Sequence, residues 1–196
     1  MLKRIFDIFF ASFGLIIISP LLLLIAIWIK LDSPGPIFFR QERVGQFGTS
    51  FRIHKFRTMV TDAEKRGMQL TVGKDNRITR SGCFLRHYKL DELPQLIDVL
   101  VGNMSLVGPR PEVPKYVACY PDNIRDLVLS VKPGITDLAS IEFREENKIL
   151  GLSTNPEKTY INEILPIKLK YYIQYTQNNN ILSDSLIILR TFQAIL

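Results

Sequence analysis

The sequence contains few residues of the kinds that build metal centres or disulfide frameworks, with two cysteines and two histidines among 196 residues. Cys83 and Cys119 are far apart and lack C-x-x-C spacing, which argues against a zinc site or a disulfide framework and favours a reducing compartment. His54 and His87 are too scattered for a histidine-rich metal centre or an obvious Ser-His-Asp triad. We therefore expect any chemistry to depend on carboxylates and arginines.

Low-complexity stretches and internal repeats are also missing, which argues against a disordered or collagen-like protein. Hydrophobic residues make up 46% of the chain and charged residues 22%, which is enough apolar material for a core. The length suits one compact domain with an appendage. Lys and Arg number 25 against 19 Asp and Glu, a net charge of +6. Nucleic acid is a disfavoured partner, because the aromatic residues lie mostly in apolar runs without a basic stacking platform.

The first 32 residues are expected to form a membrane element. No charged residue occurs from Ile8 to Ile29, and a helix needs about 20 such residues to cross a bilayer. The run is too long for a signal peptide and continues into Lys30 and Asp32, so we expect it to stay in the mature protein. Basic residues flank it on both sides, so the positive-inside rule predicts no orientation.

Ser19-Pro20 lies in the middle of this apolar run and predicts a kink or a break, because proline lacks a backbone donor and clashes with the preceding turn. A broken helix with both basic ends on one side could enter the membrane and return. A kinked helix could equally span the membrane, since proline is tolerated there. The residues alone leave both interpretations open.

Beyond Pro36 the pattern predicts an α+β domain. Ile37–Gln41 and Ser50–Phe56 are strand-like runs on either side of a turn that contains Gly45 and Gly48, which predicts a β-hairpin. Residues 60–80 are polar and predict a loop with room for a short helix.

A sharper pattern predicts an amphipathic helix over Leu90–Gly102. Its apolar positions recur at helical spacing, at Leu93, Leu96, Ile97 and Leu100. Asp91 is expected to cap the helix, Pro94 to lie in its first turn and Gly102 to end it.

Three more helices are predicted towards the C-terminus. The first spans residues 124–131 and ends before Pro133-Gly134. The second opens at Asn155-Pro156 and is interrupted at Pro166. The third, Ser183–Leu196, is largely apolar and could pack on the domain, lie in a membrane interface or form a homodimer contact.

Asp91-Glu92 is the first candidate for chemistry. An aspartate at a helix start is ionised at neutral pH and can act as a nucleophile towards a phosphate, as in enzymes that form an aspartyl phosphate. An acidic pair at a helix start is more often a cap and a partner of the helix dipole. The pair alone does not decide between these interpretations.

The second candidate is the turn Val107–Glu112, in which two prolines hold Arg110 in place. An arginine fork suits a phosphate because it can bind two oxygens at once. Lys55, Arg57 and Arg86 add further cations. Seven Lys and Arg also cluster from Lys65 to Lys89, and this cluster could instead be a solvated face near anionic lipid.

Taken in order, these segments resemble the bacterial sugar transferase family, the monotopic phosphoglycosyl transferases that start surface-glycan assembly on a polyprenol carrier. The matching segments are Lys3-Arg4-Ile5-Phe6-Asp7, Ser19-Pro20, Ser33-Pro34-Gly35-Pro36-Ile37-Phe38, Lys55-Phe56-Arg57-Thr58-Met59, Leu90-Asp91-Glu92-Leu93-Pro94-Gln95, Gly102–Pro111 and Lys132-Pro133-Gly134-Ile135-Thr136. The length is similar to that of the minimal, single-domain members. The family includes enzymes of exopolysaccharide, O-antigen and other glycoconjugate synthesis.

The resemblance implies a re-entrant membrane helix over residues 1–32, broken at Ser19 and Pro20, and a catalytic domain over residues 33–196. It also implies that this domain lies on the cytoplasmic face of the bacterial inner membrane. The substrates would be a UDP-sugar and polyprenol (undecaprenyl) phosphate, and a homodimer is a further expectation.

The resemblance also implies roles for individual residues. Asp91 would attack the phosphate that bears the sugar, expel UMP and hold a covalent phosphosugar, and polyprenol phosphate would then take the phosphosugar from it. Glu92 would be the partner associated with Mg²⁺. Arg86 and Arg110 would bind phosphate, with Lys55 and Arg57 as further contributors.

One segment departs from the family pattern. After Thr136, many relatives read Gly-Trp-Ala-Gln, whereas this chain reads Asp137-Leu138-Ala139-Ser140, and residues 141–176 match no familiar pattern. The sugar is therefore not predicted. Two rival functions are a basic adaptor that binds anionic lipid without catalysis, and a glycosyltransferase that moves only the sugar and releases UDP.

Overall fold

The computed structural model describes residues 1–63, 70–73 and 75–195, and the structural statements below concern these residues. The chain begins with one long helix, α1 (Leu2–Asp32). The strands are β1 (Phe38–Phe39), β2 (Glu42–Val44), β3 (Ser50–Arg52), β4 (Lys55–Phe56), β5 (Ser105–Val107) and β6 (Gly134–Thr136). The later helices are α2 (Arg80–His87), α3 (Gln95–Val101), α4 (Pro114–Val117), α5 (Asp122–Val128), α6 (Leu138–Glu142), α7 (Glu146–Gly151), α8 (Pro156–Thr159), α9 (Leu165–Gln177) and α10 (Ile181–Ile195). This mixed, helix-rich architecture agrees with the predicted α+β class.

Helix α1 is long and apolar enough to cross a membrane, judged by length and composition. Its two ends pack on the domain, where Asp7 and Ala11 are buried near one end and Ile25 and Ile29 near the other. Its middle is uncovered, with Ile16 73% exposed. An apolar surface of this size left uncovered by protein marks a contact with another molecule or with a membrane.

The N-terminal end of α1 is joined to the domain by polar contacts. Arg4 donates to the carbonyl oxygens of Val99 at 2.5 Å and Leu100 at 2.9 Å, which lie in the last turn of α3. The buried Asp7 carboxylate accepts from the backbone N–H of Leu106 at 3.2 Å. The early basic and acidic residues therefore fix α1 against α3 and β5.

Helix α1 runs through Ser19-Pro20 without interruption, so the predicted break is not seen, while a kink there stays a prediction. Pro20 has no N–H to donate to the carbonyl of Ile16, four residues earlier. The hydroxyl of Ser19 donates to that carbonyl instead, at 2.8 Å. The serine therefore supplies the hydrogen bond that the proline removes. This bond matters most inside a membrane, where no water can bond to the carbonyl.

The predicted β-hairpin is confirmed, although its ladder is divided. Strands β2 and β3 pair antiparallel next to the turn, and β1 and β4 pair antiparallel farther from it. Between the two pairs, the backbone N–H of His54 donates to the Asp98 carboxylate on α3 at 2.8 Å rather than to the facing strand. This bond ties the end of the hairpin that carries β4 to α3.

The helix predicted over Leu90–Gly102 forms in two pieces, a 3-10 turn at Leu90–Glu92 and then α3. Gly102 ends α3 with a left-handed φ of 99°, as predicted, whereas Pro94 directly precedes α3 instead of lying in its first turn. Asp91 lies within the 3-10 turn and makes no capping bond, so its predicted role as a cap was wrong. Its carboxylate is therefore not committed to the helix.

Strands β5 and β6 pair in parallel, and Gly108, directly after β5, lies close to Gly134, the first residue of β6. The N–H of Gly134 donates to the Pro109 carbonyl at 3.0 Å, and the N–H of Gly108 donates to the Thr136 carbonyl at 3.1 Å. A Cβ on Gly134 would collide with the backbone of Gly108, and a Cβ on Gly108 would collide with the carbonyl oxygen of Lys132. Only glycines permit this approach, which sets the position from which the next turn presents Arg110.

The three helices predicted towards the C-terminus are present with small shifts, but the interruption expected at Pro166 is not where it was predicted. Helix α5 ends at Val128, and Asn155 caps α8 by accepting from the N–H of Lys158 at 3.1 Å. The irregularity is a π-helical turn at Tyr160–Ile164, before Pro166, and Pro166 itself lies in the first turn of α9, where a missing N–H is tolerated. Helix α10 begins two residues before the predicted Ser183. The short helix considered within residues 60–80 falls partly on residues 64–69 and 74, which lie outside the described residues.

Candidate active site

A cavity of about 750 Å³ opens between the hairpin, α2, the 3-10 turn and the segment 140–147. All of the candidate residues in the domain line it, namely Lys55, Arg57, Arg86, Asp91, Glu92 and Arg110. Ser19 and Pro20 lie on α1 and do not line it. The fold therefore brings two carboxylates and four cations from separate segments into one site.

Glu92 is held by two cations on one side of the cavity. Arg110 binds both of its carboxylate oxygens, through Nη1 at 3.1 Å and through a shorter bond from Nη2. The ammonium group of Lys55 donates to the same carboxylate at 2.9 Å. We call Lys55, Glu92 and Arg110 the paired side of the cavity.

The paired side carries a fixed charge pattern. Burial by itself would raise the pKa of Glu92, but Arg110 and Lys55 outweigh it and hold that pKa well below the usual range. Glu92 in turn keeps the pKa of Arg110 well above its usual value. Burial lowers the pKa of Lys55 to about 8, despite the attraction of Glu92. Glu92 is therefore ionised and neutralised before any substrate arrives.

Asp91 differs from its neighbour. Its side chain is buried, with 8% of the residue exposed, and its Oδ1 has no hydrogen-bond partner among the described residues. Burial raises the pKa of Asp91, and the adjacent Glu92 charge raises it further. Lys55 and Arg86 oppose that rise. A desolvated carboxylate without hydrogen bonds to disperse its charge is well suited to attack an electrophile.

Two cations near Asp91 lack a carboxylate partner among the described residues. Arg86 donates only to the hydroxyls of Thr71 at 2.7 Å and Thr58 at 3.4 Å. Lys89 lines the cavity next to the 3-10 turn, and its side-chain ammonium group makes no hydrogen bond or ion pair with any described residue. We call Arg86, Lys89 and Asp91 the open side of the cavity, because its positive charge is available to an incoming anion.

Arg57 lines the same cavity, but its donors point to the end of α1. Its guanidinium donates to the carbonyls of Ser33 at 2.7 Å, Ile29 at 3.4 Å and, more closely, Pro34. Only 4% of the residue is exposed. Ser33 and Pro34 directly follow α1, and the Ile29 carbonyl also accepts from the N–H of Ser33, so Arg57 fastens the end of the helix. The observed contacts of Arg57 are therefore structural, and its expected share in phosphate binding stays a prediction.

A second charged network supports the turn that presents Arg110. Arg43 donates to the carbonyl of Pro111 at 2.9 Å and lies 3.9 Å from the Glu112 carboxylate. The hydroxyl of Tyr160 donates to Glu112 at 2.5 Å. Because these contacts fix the residues directly after Arg110, they set the direction in which its guanidinium can reach Glu92.

Lys168 on α9 connects this network to α7. Its ammonium group forms an ion pair with Glu146, lies 3.9 Å from Glu112 and lies 4.9 Å from the centre of the Tyr160 ring. The residue is only 4% exposed, and its pairing with two carboxylates offsets the cost of removing its charge from water. Lys168 and Glu146 both line the cavity.

The segment that departs from the family pattern forms a wall of the cavity. Asp137 caps α6 by accepting from the backbone N–H of Ser140 at 3.0 Å and from its hydroxyl at 2.7 Å. Burial raises the pKa of Asp137 despite these bonds. Ser140, Phe143, Arg144, Glu146 and Asn147 all line the cavity. The segment that departs from the family pattern therefore faces the cavity.

Sequence reasoning missed several residues of the site. No local pattern marks Arg43, Tyr160 and Lys168, because most of their partners lie far away along the chain. Tyr160 and its partner Glu112, for example, are 48 residues apart. Lys89 belonged to the basic cluster 65–89, whose members Lys65, Arg66 and Lys74 lie outside the described residues. The His54–Asp98 pair was also missed, with Nδ1 of His54 lying 2.7 Å from Asp98.

The carboxylates present are compatible with Mg²⁺ held together with a substrate. The described residues contain no group of three or more His, Cys, Asp or Glu suited to a metal. Mg²⁺ usually needs only one or two carboxylates when substrate phosphates and water supply the remaining oxygens. Asp91 Oδ1 is buried and unpartnered, and Glu92 is adjacent, although coordination by Glu92 would require exchanging a bond to Lys55 or Arg110.

Comparison with known proteins was made on the whole chain. A family model described as "Bacterial sugar transferase" matches residues 1–196. The chain is similar to UDP-N-acetylgalactosamine-undecaprenyl-phosphate N-acetylgalactosaminephosphotransferase of Aeromonas hydrophila, at 37% identity over 197 residues, or 100% of this chain and 44% of the relative. It is also similar to UDP-glucose:undecaprenyl-phosphate glucose-1-phosphate transferase of Caulobacter vibrioides, at 37% identity over 196 residues, or 99% of this chain and 69% of the relative.

A third relative is similar over a shorter stretch. The UDP-glucose:undecaprenyl-phosphate glucose-1-phosphate transferase of Escherichia coli is 45% identical over 143 residues, covering 72% of this chain and 31% of the relative. The chain thus spans less than half the length of the Aeromonas and Escherichia relatives. Relatives at the same identity are named for different sugars, so similarity by itself does not indicate a sugar for this chain.

Proposed function

The chain belongs to the bacterial sugar transferase family, and on that premise we propose that it transfers a sugar phosphate from a UDP-sugar to undecaprenyl phosphate. The products would be undecaprenyl diphosphate-sugar and UMP, and the reaction would be a first membrane step of surface-glycan synthesis. The names of the relatives support the two substrate classes.

The observation that carries this proposal is the contrast between two adjacent carboxylates. Glu92 is neutralised by Arg110 and Lys55, whereas Asp91 is buried with one oxygen unpartnered. A donor diphosphate and an acceptor phosphate must both approach Asp91, and like charges repel strongly in a poorly solvated site. The cations of the cavity offset that repulsion, which makes a carboxylate nucleophile feasible.

In the first step, a carboxylate oxygen of Asp91 attacks the phosphorus that bears the sugar. A new bond forms between that oxygen and phosphorus, the bond from phosphorus to the bridging oxygen breaks, and UMP leaves with the electron pair. Arg86, which has only hydroxyl partners, is placed to bind phosphate oxygens beside Asp91. Arg110 and Lys55 fix the position of the Glu92 carboxylate beside the nucleophile Asp91.

In the second step, a phosphate oxygen of the lipid attacks the same phosphorus. A phosphorus–oxygen bond to the lipid forms, the bond to Asp91 breaks, and the carboxylate is regenerated. No separate general base is required, because both nucleophiles are already anions at neutral pH. Glu92, with Asp91, would hold Mg²⁺, which when bound supplies positive charge to the diphosphate and the leaving group.

The same proposal includes a re-entrant course for α1 and a cytoplasmic position for the domain. Both ends of α1 pack on one domain while the middle is exposed, which supports an entry and return through one face of the bilayer. Such a course brings a water-soluble nucleotide sugar and a membrane-bound acceptor to the same site.

The chemistry is tested by nucleotide release from the detergent-purified chain. A panel of UDP-sugars is incubated with undecaprenyl phosphate and Mg²⁺, and UMP and UDP are separated and quantified. We expect UMP with at least one sugar, and a loss of at least about 1,000-fold in Asp91→Asn, which keeps the shape of the side chain but not its nucleophile.

Asp126→Asn is the matched control, because the Asp126 side chain is 82% exposed and lies outside the cavity. Release of UDP in place of UMP would contradict the proposal and favour transfer of the sugar alone. Full activity in Asp91→Asn would contradict the covalent step, even if UMP were released.

The course of α1 is tested separately by labelling. Leu2→Cys and Leu31→Cys, two exposed positions at the ends of α1, are introduced after Cys83 and Cys119 are replaced by serine. A membrane-impermeant maleimide is applied to spheroplasts and to inverted vesicles. We expect both positions to react only in inverted vesicles. Reaction of the two positions from opposite sides would show a spanning helix.

A further inference from the structure

Lys89 is a cation of the cavity to which the proposed reaction has so far assigned no role. Other cations that line the cavity have side-chain partners, as Arg110 does in Glu92 and Arg86 does in the hydroxyls of two threonines. Lys89 is exposed and lines the cavity, and its ammonium group makes no hydrogen bond or ion pair with any described residue. Its ammonium group can therefore bind an anion without first leaving a partner.

The backbone of Lys89 shows that its position is unusual. Lys89 has φ 56° and ψ 20°, a left-handed conformation that residues with a Cβ seldom adopt. It stands between the end of α2 and the turn that carries Asp91, and its carbonyl accepts from the N–H of Glu92 at 3.3 Å. Such conformations persist where the surrounding structure requires them and are concentrated at functional sites.

An aromatic cluster leads from α1 to Lys89. The ring of Trp28 on α1 lies 5.4 Å from the ring of Phe84 on α2, which lies 4.7 Å from the ring of Tyr88. All three residues are 40–46% exposed although they are large and apolar. Trp and Tyr are enriched where protein meets the headgroup region of a membrane. Tyr88 directly precedes Lys89 and Asp91 follows it by two residues, so along the chain Lys89 comes between this aromatic cluster and Asp91.

We propose that Lys89 binds the phosphate of the lipid acceptor as it enters the cavity from the membrane along Trp28, Phe84 and Tyr88. This inference depends on the proposed transfer to undecaprenyl phosphate. The lipid acceptor is favoured over the nucleotide donor because the aromatic cluster joins Lys89 to the apolar helix α1. Lys89 then serves the second step, in which an anion must approach the phosphorus already attached to Asp91.

The two steps can be measured apart on the full-length chain. The first step alone is followed by exchange of labelled UMP into the UDP-sugar without acceptor, and the complete reaction by formation of undecaprenyl diphosphate-sugar at varied undecaprenyl phosphate. Lys89→Asn removes the charge while retaining a residue that tolerates a left-handed backbone. Lys89→Arg retains the charge.

For Lys89→Asn we expect the KM for undecaprenyl phosphate to rise about tenfold or more, with UMP exchange within about twofold of the parent. For Lys89→Arg we expect a KM within about threefold of the parent, because a guanidinium also binds phosphate. Lys170→Asn, at an exposed position on α9 that does not line the cavity, is the matched control and should change neither rate.

An unchanged KM in Lys89→Asn would overturn the inference, and equal losses in exchange and in the complete reaction would assign Lys89 to the donor instead. The thermal unfolding temperature of each variant is also measured, so that a loss of activity caused by misfolding is recognised. Failure of the proposed function would give a different result, because the parent enzyme itself would then neither release nor exchange UMP.

Discussion

The two sides of the cavity differ in how their charges are balanced. On the paired side, Glu92 accepts three hydrogen bonds from Arg110 and Lys55, so its charges are neutralised within the fold. On the open side, Arg86 has hydroxyl partners only, and Asp91 Oδ1 has none among the described residues. The charges of the paired side therefore hold one geometry, whereas those of the open side can take new partners.

This difference has an energetic consequence. A buried charge that loses its partner is strongly destabilising, whereas a charge that had no charged partner has little to lose. Changes on the paired side should therefore alter stability and activity together. Changes on the open side should alter activity with a smaller effect on stability. The predictions below test that distinction, beginning with the largest effect.

Glu92→Gln should give the largest loss on the paired side. It leaves Lys55 and Arg110, which are mostly buried, without their carboxylate, and we expect about 3 kcal/mol less unfolding free energy together with a large loss of UMP release. Denaturant unfolding in detergent measures the first effect. A variant as stable as the parent would show that Glu92 does not organise the paired side.

A matched pair of arginine variants compares the two sides directly. Arg110→Gln should lose about 2 kcal/mol of stability along with activity, because Glu92 then keeps only Lys55. Arg86→Gln should lose about tenfold or more in activity with less than about 1 kcal/mol of stability, since a glutamine can still meet the threonine hydroxyls. Unfolding and UMP release are measured on both. Equal stability losses would remove the distinction between the two sides.

The pH dependence of activity should report Lys55. Burial lowers the pKa of Lys55 to about 8, so the ammonium form is present below that pH and is lost above it. Activity should fall by about tenfold between pH 7 and pH 9 as the bond to Glu92 loses its charge. Lys55→Arg should move this fall to higher pH, because a guanidinium stays protonated. A pH profile that is the same in both proteins would contradict this assignment.

Tyr160→Phe should have the smallest effect. The hydroxyl of Tyr160 donates to Glu112 at 2.5 Å, behind the turn that presents Arg110. Its loss should cost about 1–2 kcal/mol of stability, since Glu112 retains Lys168 and Arg43 nearby. Activity should change by less than about threefold. A larger fall in kcat at unchanged stability would show that Glu112 positions Arg110 more strictly than the distances suggest.

Local patterns predicted much of the fold correctly. The strand-like runs around Gly45 and Gly48 formed a hairpin, Gly102 ended α3 and Asn155 capped α8. Each of these depends on a few neighbouring residues, so sequence alone is sufficient. The capping role of Asp91 was predicted wrongly, because a 3-10 turn separates Asp91 from α3. That turn is stabilised by its place between β4, α2 and α3, which no local pattern describes.

The apolar length of α1, the ordered motifs that mark the family, and the acidic and basic side chains of the candidate site can all be identified from the sequence. Which of these charges neutralise each other, and which have no charged partner, depends on how the chain packs. Arg57 and Arg86 both line the cavity, yet Arg57 donates to carbonyls at the end of α1 and Arg86 donates only to threonine hydroxyls. The reason is physical, because the cost of a charge depends on burial and on partners that lie far along the chain and meet only when the chain is packed.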